Sequence, residues 1–283
     1  MTQKNFFQRS YLTLFYALLL LFLSALFPAH AQESPYQLRR NLDIPLFGVG
    51  AAGSLAGLLW RTQREPLTIV ELNALRVNDV WGPDRSATEN YSSGARRISD
   101  VLVASSYVLP LAFLAFKDIR PDGGTLGVML VETMLINEAL TGLTKAAVLR
   151  ARPYTYRQQL PDEVRTAPDN AFSFFSGHTS HAAAMSFFVA QVISTYTNRP
   201  WVRTVAWSGA ALLPAATGFY RYRAGKHFPS DVVVGYVIGA AVGTLVPLSH
   251  RVERLSVKPG GSTEQGTLTL PVQEMFCVTW TLP

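Results

Sequence analysis

The chain has 283 residues, of which 48% are hydrophobic and only 16% are charged. About a quarter of the residues of an ordinary soluble domain are charged, so this chain is short of charge. Its 16 Phe, 11 Tyr and 5 Trp exclude an intrinsically disordered chain. Cys277 is the single cysteine, which excludes a disulfide framework and a thiolate zinc cluster.

The N-terminus has the layout of a secretory signal peptide. Two basic residues precede an uncharged, leucine-rich run at residues 11–27, and Ala29 and Ala31 then stand where a signal peptidase reads small residues. We predict a signal peptide over residues 1–31, cleaved before Gln32, with an uncleaved membrane anchor as the alternative. Cleavage leaves a net charge of +4, too small an excess to indicate binding of nucleic acid.

Six long apolar runs follow, and they favour helices over strands. They are too long for strands and lack the alternation of a half-buried strand. The fold class is predicted to be all-α, a bundle of about six helices, with a shorter amphipathic helix at residues 67–80. The six predicted helices cover residues 44–60, 101–116, 124–149, 182–196, 201–220 and 232–248.

Glycines recur at four-residue spacing within two of these runs. Gly53 and Gly57 form one pair, and Gly235, Gly239 and Gly243 form a continuous stripe. Such stripes let helix backbones approach closely, in membranes or in tightly packed bundles.

The organisation of the mature chain is predicted to have three parts. Residues 32–123 hold the first helices and a polar loop. Residues 124–250 hold all three motifs whose residues could carry a reaction. Residues 251–283 form a tail in which apolar and polar residues alternate at 276–282, the pattern of a short strand from a small β-hairpin.

The first motif lies where the third helix is predicted to end. Lys145 and Arg152 are seven residues apart, two helical turns, so both are expected on one face. Pro153 predicts a helix end near Arg152. The two cations could grip a tetrahedral oxyanion, because an Arg fork donates two parallel hydrogen bonds. The alternative is an ordinary basic helix end.

The second motif opens the fourth helix. Ser176 is a natural N-cap, and Gly177 allows a ligand to approach the backbone closely. The free amide groups of a first helical turn bind anions. His178 would lie beside such an anion, placed to give up a proton.

The third motif lies between the last two helices. Pro229 predicts a helix start, with Asp231 in the first turn and four residues after His227. A carboxylate that holds one imidazole nitrogen fixes the tautomer and frees the other nitrogen for attack. Arg221 adds a third cation.

Together the three motifs resemble the signature of the type 2 phosphatidic acid phosphatase superfamily. That superfamily includes lipid phosphate phosphatases, bacterial non-specific acid phosphatases and vanadium haloperoxidases. Nine defined positions match in order and spacing over about 120 residues. Phe175 replaces the Pro of the family's second motif, and Tyr220 replaces the Ser of the third. Neither position carries proton transfer or attack, so the departures bear on fine specificity more than on activity.

The resemblance implies a metal-independent phosphatase that forms a phosphohistidine. Lys145, Arg152 and Arg221 would bind the phosphoryl oxygens with Ser176 and the Gly177 amide. His227 would attack phosphorus, oriented by Asp231, and His178 would protonate the leaving oxygen and later activate water. No cofactor is expected, and vanadate is expected to inhibit.

Several neighbouring residues are expected to play lesser parts. His181 lies on the same helical face as His178 and is interpreted as supporting the site from outside. Glu132 and Glu138 are interpreted as contacts between helices, and Glu138, seven residues before Lys145, could pair with it. Aromatic residues flank the motifs and are expected to pack the loops, with a lipid entrance as the alternative: Tyr154, Tyr156, Phe172, Phe174 and Phe175.

Two other functions fit the same motifs. One is a vanadium-dependent haloperoxidase, because the same cradle can hold vanadate. The other is a catalytically weak phosphate-binding membrane protein, suggested by Phe175 and Tyr220, although intact His178, His227 and Asp231 argue against it. The substrate class is predicted to be a phosphorylated lipid or a small phosphomonoester.

The location is predicted to be exported, in a periplasm-like compartment or in a membrane with an outward-facing site. The lengths of the apolar runs are close to the minimum that a helix needs to span a bilayer. Cleavage of the signal peptide conflicts with an outward-facing site if all six helices cross the membrane. Cleavage leaves Gln32 outside, and six crossing helices would then place the first motif on the cytoplasmic side. Arg39 and Arg40 also suit an inside location. Three alternatives remain: an uncleaved signal peptide with residues 44–60 not spanning the membrane, a soluble exported bundle, and partly inserted helices.

Overall fold

The computed structural model of the protein describes residues 34–252. The predicted signal peptide lies outside the described residues, as does the tail beyond Val252 with its predicted hairpin. Within the described range the fold is all-α, as predicted. The eight α-helices are α1 (Arg40–Thr62), α2 (Ile69–Ala74), α3 (Ser93–Ser106), α4 (Gly123–Val148), α5 (Asp162–Arg165), α6 (Gly177–Tyr196), α7 (Pro200–Arg223) and α8 (Pro229–Ser249).

Six of these helices are long, and they correspond to the six predicted ones. The largest boundary errors concern α3, which begins eight residues before the predicted start at residue 101 and ends ten residues before the predicted end at residue 116. Ser92 sets this start, because its hydroxyl accepts a hydrogen bond from the Ala95 amide as an N-cap. The second half of the predicted helix is the 3₁₀ turn Leu109–Ala115, with Pro110 in its first turn. The shorter predicted helix is split between α2 and the 3₁₀ turn Val77–Asp79.

The bundle is organised around α6, which contacts α3, α4, α7 and α8. Its apolar side chains fill the core together with α4, and Met129, Phe188 and Val192 are wholly buried. Helix α1 packs along the outer side of α4. The site motifs on α6 are therefore carried by the most enclosed helix, which fixes their position.

The glycine stripes are the contact surfaces of the two closest helix pairs. A Cβ built on Gly239 would lie 2.1 Å from the carbonyl oxygen of Ser180, and one on Gly235 would lie 2.6 Å from that of Ser176. Helices α6 and α8 therefore run parallel in backbone contact. Gly57 meets Gly142 of α4 in the same way, so the predicted role of the stripes is confirmed.

Within residues 34–252, four helical stretches are long and apolar enough to cross a membrane, as judged by length and composition. Many of their large apolar side chains face outward, for example Val49 at 71% exposure and Val101 at 66%. Such exposure suits contact with lipid. The four stretches are Arg40–Thr62, Ser93–Ala115, Arg120–Tyr156 and Pro229–Ser249.

The two ends of the bundle differ in their connections. One end gathers the ends of α1, α4 and α7 with the starts of α6 and α8, and the polar loop between α1 and α3 covers it. At the other end the chain enters beside the end of α8, where the Gln37 amide donates to the His250 carbonyl and Tyr36 forms an antiparallel bridge with Arg251.

Candidate active site

The residues predicted from the three motifs meet at the end of the bundle covered by the polar loop. They come from α4, the segment after it, the start of α6, the end of α7 and the start of α8. The three cations are almost fully buried, each at most 6% exposed. The predicted set is Lys145, Arg152, Ser176, Gly177, His178, Arg221, His227 and Asp231.

Two of the three cations are held in place largely by main-chain carbonyl groups. Lys145 Nζ donates to the Phe172 carbonyl at 2.8 Å. Arg152 donates from Nε to the Asp169 carbonyl at 2.8 Å and from a terminal nitrogen to the Lys226 carbonyl at 2.9 Å. Neutral carbonyls orient these two groups without adding negative charge to the site. The site therefore keeps a positive potential suited to a phosphate.

The expected helical geometry of Lys145 and Arg152 is wrong. Helix α4 ends at Val148 because Leu149 adopts a left-handed conformation, with φ of 50°. Arg152 lies beyond this turn in extended backbone, and its amide donates to the Asn170 carbonyl. The two cations approach the same site from a helix and from a loop.

Asp169 is the acidic partner of Arg152, at 3.0 Å between carboxylate oxygen and guanidinium nitrogen. Arg152 holds the pKa of the Asp169 carboxyl below its usual range. Lys226 adds a further cation, with its ammonium 4.3 Å from the centre of the Tyr154 ring. Burial, and next the charge of Arg152, lower the pKa of Lys226 to about 7.

His227 is buried, and its tautomer follows from its contacts. Nδ1 lies 2.7 Å from the Ser173 carbonyl oxygen, which can only accept, so Nδ1 carries the hydrogen. Nε2 then presents its lone pair towards Arg152, 3.4 Å away. Burial, followed by the charges of Arg152 and Lys145, holds the pKa of His227 well below its usual range, which keeps the ring neutral.

Asp231 does not hold His227 directly, contrary to the prediction. Its carboxylate is 3.7 Å from Nδ1 and instead accepts from Ser173 Oγ at 2.5 Å and from the Phe228 amide at 2.9 Å. Since Ser173 offers its carbonyl to His227, the carboxylate acts on the imidazole through that residue. Main-chain geometry, which spacing alone does not encode, brings the Ser173 carbonyl closer than the carboxylate.

A second contact of Asp231 involves Arg150, which sequence reasoning missed. Arg150 donates to Asp231 at 2.6 Å and to Asp84 at 2.8 Å, and its guanidinium stacks on the Phe228 ring at 4.0 Å. Asp84 also accepts from the Ser230 amide at 2.9 Å and so caps the start of α8. The polar loop thereby fixes the helix that carries Asp231.

His178 lies at the half-buried edge of the site and faces Asp100 of α3. Its Nε2 is 3.0 Å from the Asp100 carboxylate, which also lies 3.4 Å from Arg221. Burial and the charge of Arg221 lower the pKa of His178 to about 3, despite the opposing effect of Asp100. Asp100 was not predicted, because it lies 78 residues from His178 and only tertiary packing joins them.

The N-terminus of α6 faces the cations, as the second motif predicts. Ser176 occupies the N-cap position, but its hydroxyl bonds to the Thr179 hydroxyl at 2.9 Å and not to a backbone amide. A Cβ on Gly177 would lie 3.1 Å from the Thr141 side chain and 3.8 Å from the Lys145 side chain. Glycine at this position lets the helix start approach Lys145 closely.

The predicted pairing of Glu138 with Lys145 is not made as a direct contact. Glu138 instead lies 3.2 Å from Nε2 of His181, whose Nδ1 bonds to the Gly177 carbonyl at 2.8 Å. His181 therefore braces the first turn of α6 from behind, which agrees with a supporting role. Of the flanking aromatic residues, Tyr154, Phe172 and Phe175 are buried and pack the loops, as expected.

Comparison with known proteins finds similarity to one family of phosphatases. Residues 126–254 match the family model described as PAP2 superfamily, so the resemblance carried by the three motifs is confirmed. The chain is 25% identical over 146 residues, 49% of its length, to a lipid A 4'-phosphatase of Porphyromonas gingivalis. That match spans 58% of the relative's length.

A similar solved structure is the crystal structure of a transmembrane PAP2 type phosphatidylglycerolphosphate phosphatase from Bacillus subtilis. The similarity has a TM-score of 0.37 and 19% sequence identity, over 85% of this chain and 98% of that one.

Proposed function

We propose that the protein is a phosphatase that removes a phosphate group from a membrane lipid through a phosphohistidine intermediate. The observation that carries this proposal is the setting of His227. Its unprotonated Nε2 lies beside Arg152 in a pocket that also holds Lys145 and Arg221. The site therefore places a neutral, nucleophilic imidazole beside cations that attract a phosphoryl group.

Substrate binding rests on charge and on the start of α6. Lys145, Arg152 and Arg221 bind the phosphoryl oxygens, and the amide of Gly177 points at the same group. The protein environment has low polarity, so these interactions are stronger than in water. They stabilise most strongly the negative charge that builds up on the equatorial oxygens in the transition state.

In the first chemical step, Nε2 of His227 bonds to phosphorus while the bond from phosphorus to the leaving oxygen breaks. The Ser173 carbonyl accepts from Nδ1 and stabilises the positive charge on the ring. His178 gives its proton to the leaving oxygen. Asp100 orients the His178 ring, and the bound phosphate raises its affinity for that proton.

In the second step, His178 accepts a proton from water, which attacks phosphorus and displaces His227. Inorganic phosphate leaves, and His178 then releases this proton, because phosphate no longer opposes the charge of Arg221. Every step uses side chains and main-chain groups of the protein, so we expect activity without a metal ion in the phosphate site.

A lipid substrate is supported by the setting of the site. The pocket lies at the end of helices that are long and apolar enough to cross a membrane, and the matched relative is named for dephosphorylation of lipid A. A site in this position meets lipid headgroups at the membrane surface.

We also propose that the site faces outward. Residues 34–39 lie at the opposite end of α1 from the site, so this orientation places Arg39 and Arg40 inside. Export of Gln32 and an outward site are not compatible if α1 crosses the bilayer. The orientation of the site is therefore coupled to the fate of the N-terminal segment.

The test is phosphate release from purified protein in detergent. A lipid phosphate such as phosphatidate, an isoprenyl pyrophosphate and a water-soluble monoester are compared, with vanadate as inhibitor. We expect turnover of a lipid substrate, inhibition by vanadate and no requirement for halide. Halide oxidation in vanadate-loaded protein, with no phosphate release from any substrate, would overturn the proposal in favour of a haloperoxidase.

A further inference from the structure

Three ionisable side chains converge at the end of the bundle opposite the phosphate site. Asp43 lies in the first turn of α1, Glu132 lies in α4, and His250 directly follows α8. Nε2 of His250 is 2.8 Å from a carboxylate oxygen of Asp43 and 3.2 Å from one of Glu132. One ligand atom from each residue lies within 4.8 Å of the others. None of these residues takes part in the proposed reaction.

Glu132 is the member of this cluster that most needs a partner. Its side chain is 0% exposed, and neither of its carboxylate oxygens accepts a hydrogen bond from the residues that the structure describes. A buried carboxylate without a hydrogen bond is strongly destabilising unless a cation neutralises it. The carboxylate is directed at His250, since Oε2 is the atom that approaches Nε2.

His250 is held in the form that ligates a metal. Nδ1 lies 2.8 Å from the Val246 carbonyl oxygen, which can only accept, so Nδ1 carries a hydrogen. Nε2 is left facing the two carboxylates. Metal-binding histidines show the same arrangement, in which one ring nitrogen donates to a carbonyl and fixes the other towards the ion.

Two kinds of cation could lie between these groups. A hydrogen on Nε2 of His250 would be donated to one carboxylate only, that of the nearer Asp43. Glu132 would then remain without a hydrogen bond. A divalent ion would contact all three ligand atoms at once. It would also cancel the two carboxylate charges in a buried place, where net charge is unfavourable.

We propose that Asp43, Glu132 and His250 form a binding site for one divalent transition-metal ion, with Zn²⁺ as the fitting case. One imidazole and two carboxylates match the ligands of zinc, whereas Ca²⁺ and Mg²⁺ favour oxygen alone. The ion would tie α1, α4 and the end of α8 together. It lies about 30 Å from His227, from the rise of α8 at about 1.5 Å per residue, so its role is structural.

The test is metal content and thermal stability of the full chain, purified in detergent without a histidine tag. Protein treated with chelator is reloaded with Zn²⁺, dialysed and analysed by elemental mass spectrometry. We expect about one zinc per chain and a melting temperature several degrees above that of the chelated protein. The Glu132→Gln and His250→Gln variants should lose both the zinc and the stabilisation.

Two variants serve as matched controls. Glu138→Gln removes another carboxylate from α4, and His227→Ala removes a histidine from the phosphate site. Both should keep the zinc, which separates this proposal from the proposed function. Wild-type protein that retains no zinc and shows no shift in melting temperature would overturn the proposal. If the variants do not fold, that wild-type comparison decides alone.

Discussion

At the scale of single residues, the orientation of the His227 ring depends on a main-chain carbonyl more than on a carboxylate. The Ser173 carbonyl fixes its tautomer, and Asp231 holds Ser173 by its hydroxyl. Asp231 is itself held by Arg150, which bridges to Asp84 in the polar loop. This series of contacts implies that Asp231 and Arg150, which do not hydrogen-bond to the imidazole, still control its position.

Removal of the bridge should therefore slow turnover without weakening substrate binding much. We expect Arg150→Gln to lower kcat about 10–100-fold, the range seen when groups that support a ligand are lost, and to change KM little. Steady-state kinetics on a lipid phosphate measures both constants. Arg203→Gln, a change of exposed surface in α7, is the matched control and should leave kcat unchanged. A wild-type kcat in Arg150→Gln would show that the bridge has no positioning role.

Protonation of His178 should be linked to phosphate binding. In the empty site its pKa is lowered to about 3, so the ring is neutral at pH 7. A bound phosphate opposes the charge of Arg221 and raises the pKa, so binding takes up a proton and weakens as pH rises. Calorimetry of phosphate binding in buffers of different ionisation enthalpy measures this uptake. The His178→Asn variant should take up fewer protons, by up to about one. Equal uptake by both proteins would contradict this linkage.

At the scale of elements, the helices were largely predictable because their apolar runs are long and end at clear signals. Pro229 begins α8 with Asp231 in its first turn, as predicted. The expectation of a helix end near Arg152 was wrong, because no feature of the sequence predicts the left-handed conformation of Leu149. Asp84 and Asp100 were missed for another reason. They lie far from the motifs along the chain, and an acidic residue in a polar segment or helix start carries no signal of its distant partner.

The contact between α6 and α8 leads to a prediction at this scale. Alanine at Gly239 would bring a Cβ to 2.1 Å from the Ser180 carbonyl, so the helices must separate. We expect Gly239→Ala to lower the free energy of unfolding by about 1–3 kcal/mol, as overpacking does. It should also reduce activity, because α6 and α8 carry His178 and Asp231. Thermal denaturation in detergent measures the change.

Gly209 of α7 provides the matched control, because a Cβ there would have no neighbour within 4 Å. Gly209→Ala should leave stability unchanged or raise it by up to about 1 kcal/mol, since alanine favours the helix. Equal effects of the two substitutions would mean that the glycine stripe does not set the packing of these helices.

At the scale of the whole molecule, both ends of the bundle have a defined chemistry. One end gathers buried cations at the proposed phosphate site, and the other holds the carboxylates and histidine proposed as a metal site. Because α1 runs between the two ends, they lie at opposite membrane surfaces if α1 crosses the bilayer.

The proposed orientation can be read from the accessibility of introduced cysteines. In a chain with Cys277 replaced by Ser, Glu65→Cys marks the end of the phosphate site and Gln37→Cys marks the opposite end. A maleimide that does not cross membranes should label Glu65→Cys in intact cells and Gln37→Cys only after permeabilisation. The reverse labelling would show that the site faces inward and that the predicted export of Gln32 holds.

The central claim is that His227 carries the phosphoryl group. Rapid acid-free quenching of the enzyme with a ³²P-labelled lipid phosphate, followed by denaturing gel analysis, should reveal a labelled chain. The label should be lost in acid and stable in base, as expected for phosphohistidine. It should be absent from a folded His227→Ala variant that also lacks turnover. A labelled or fully active His227→Ala variant would contradict the account.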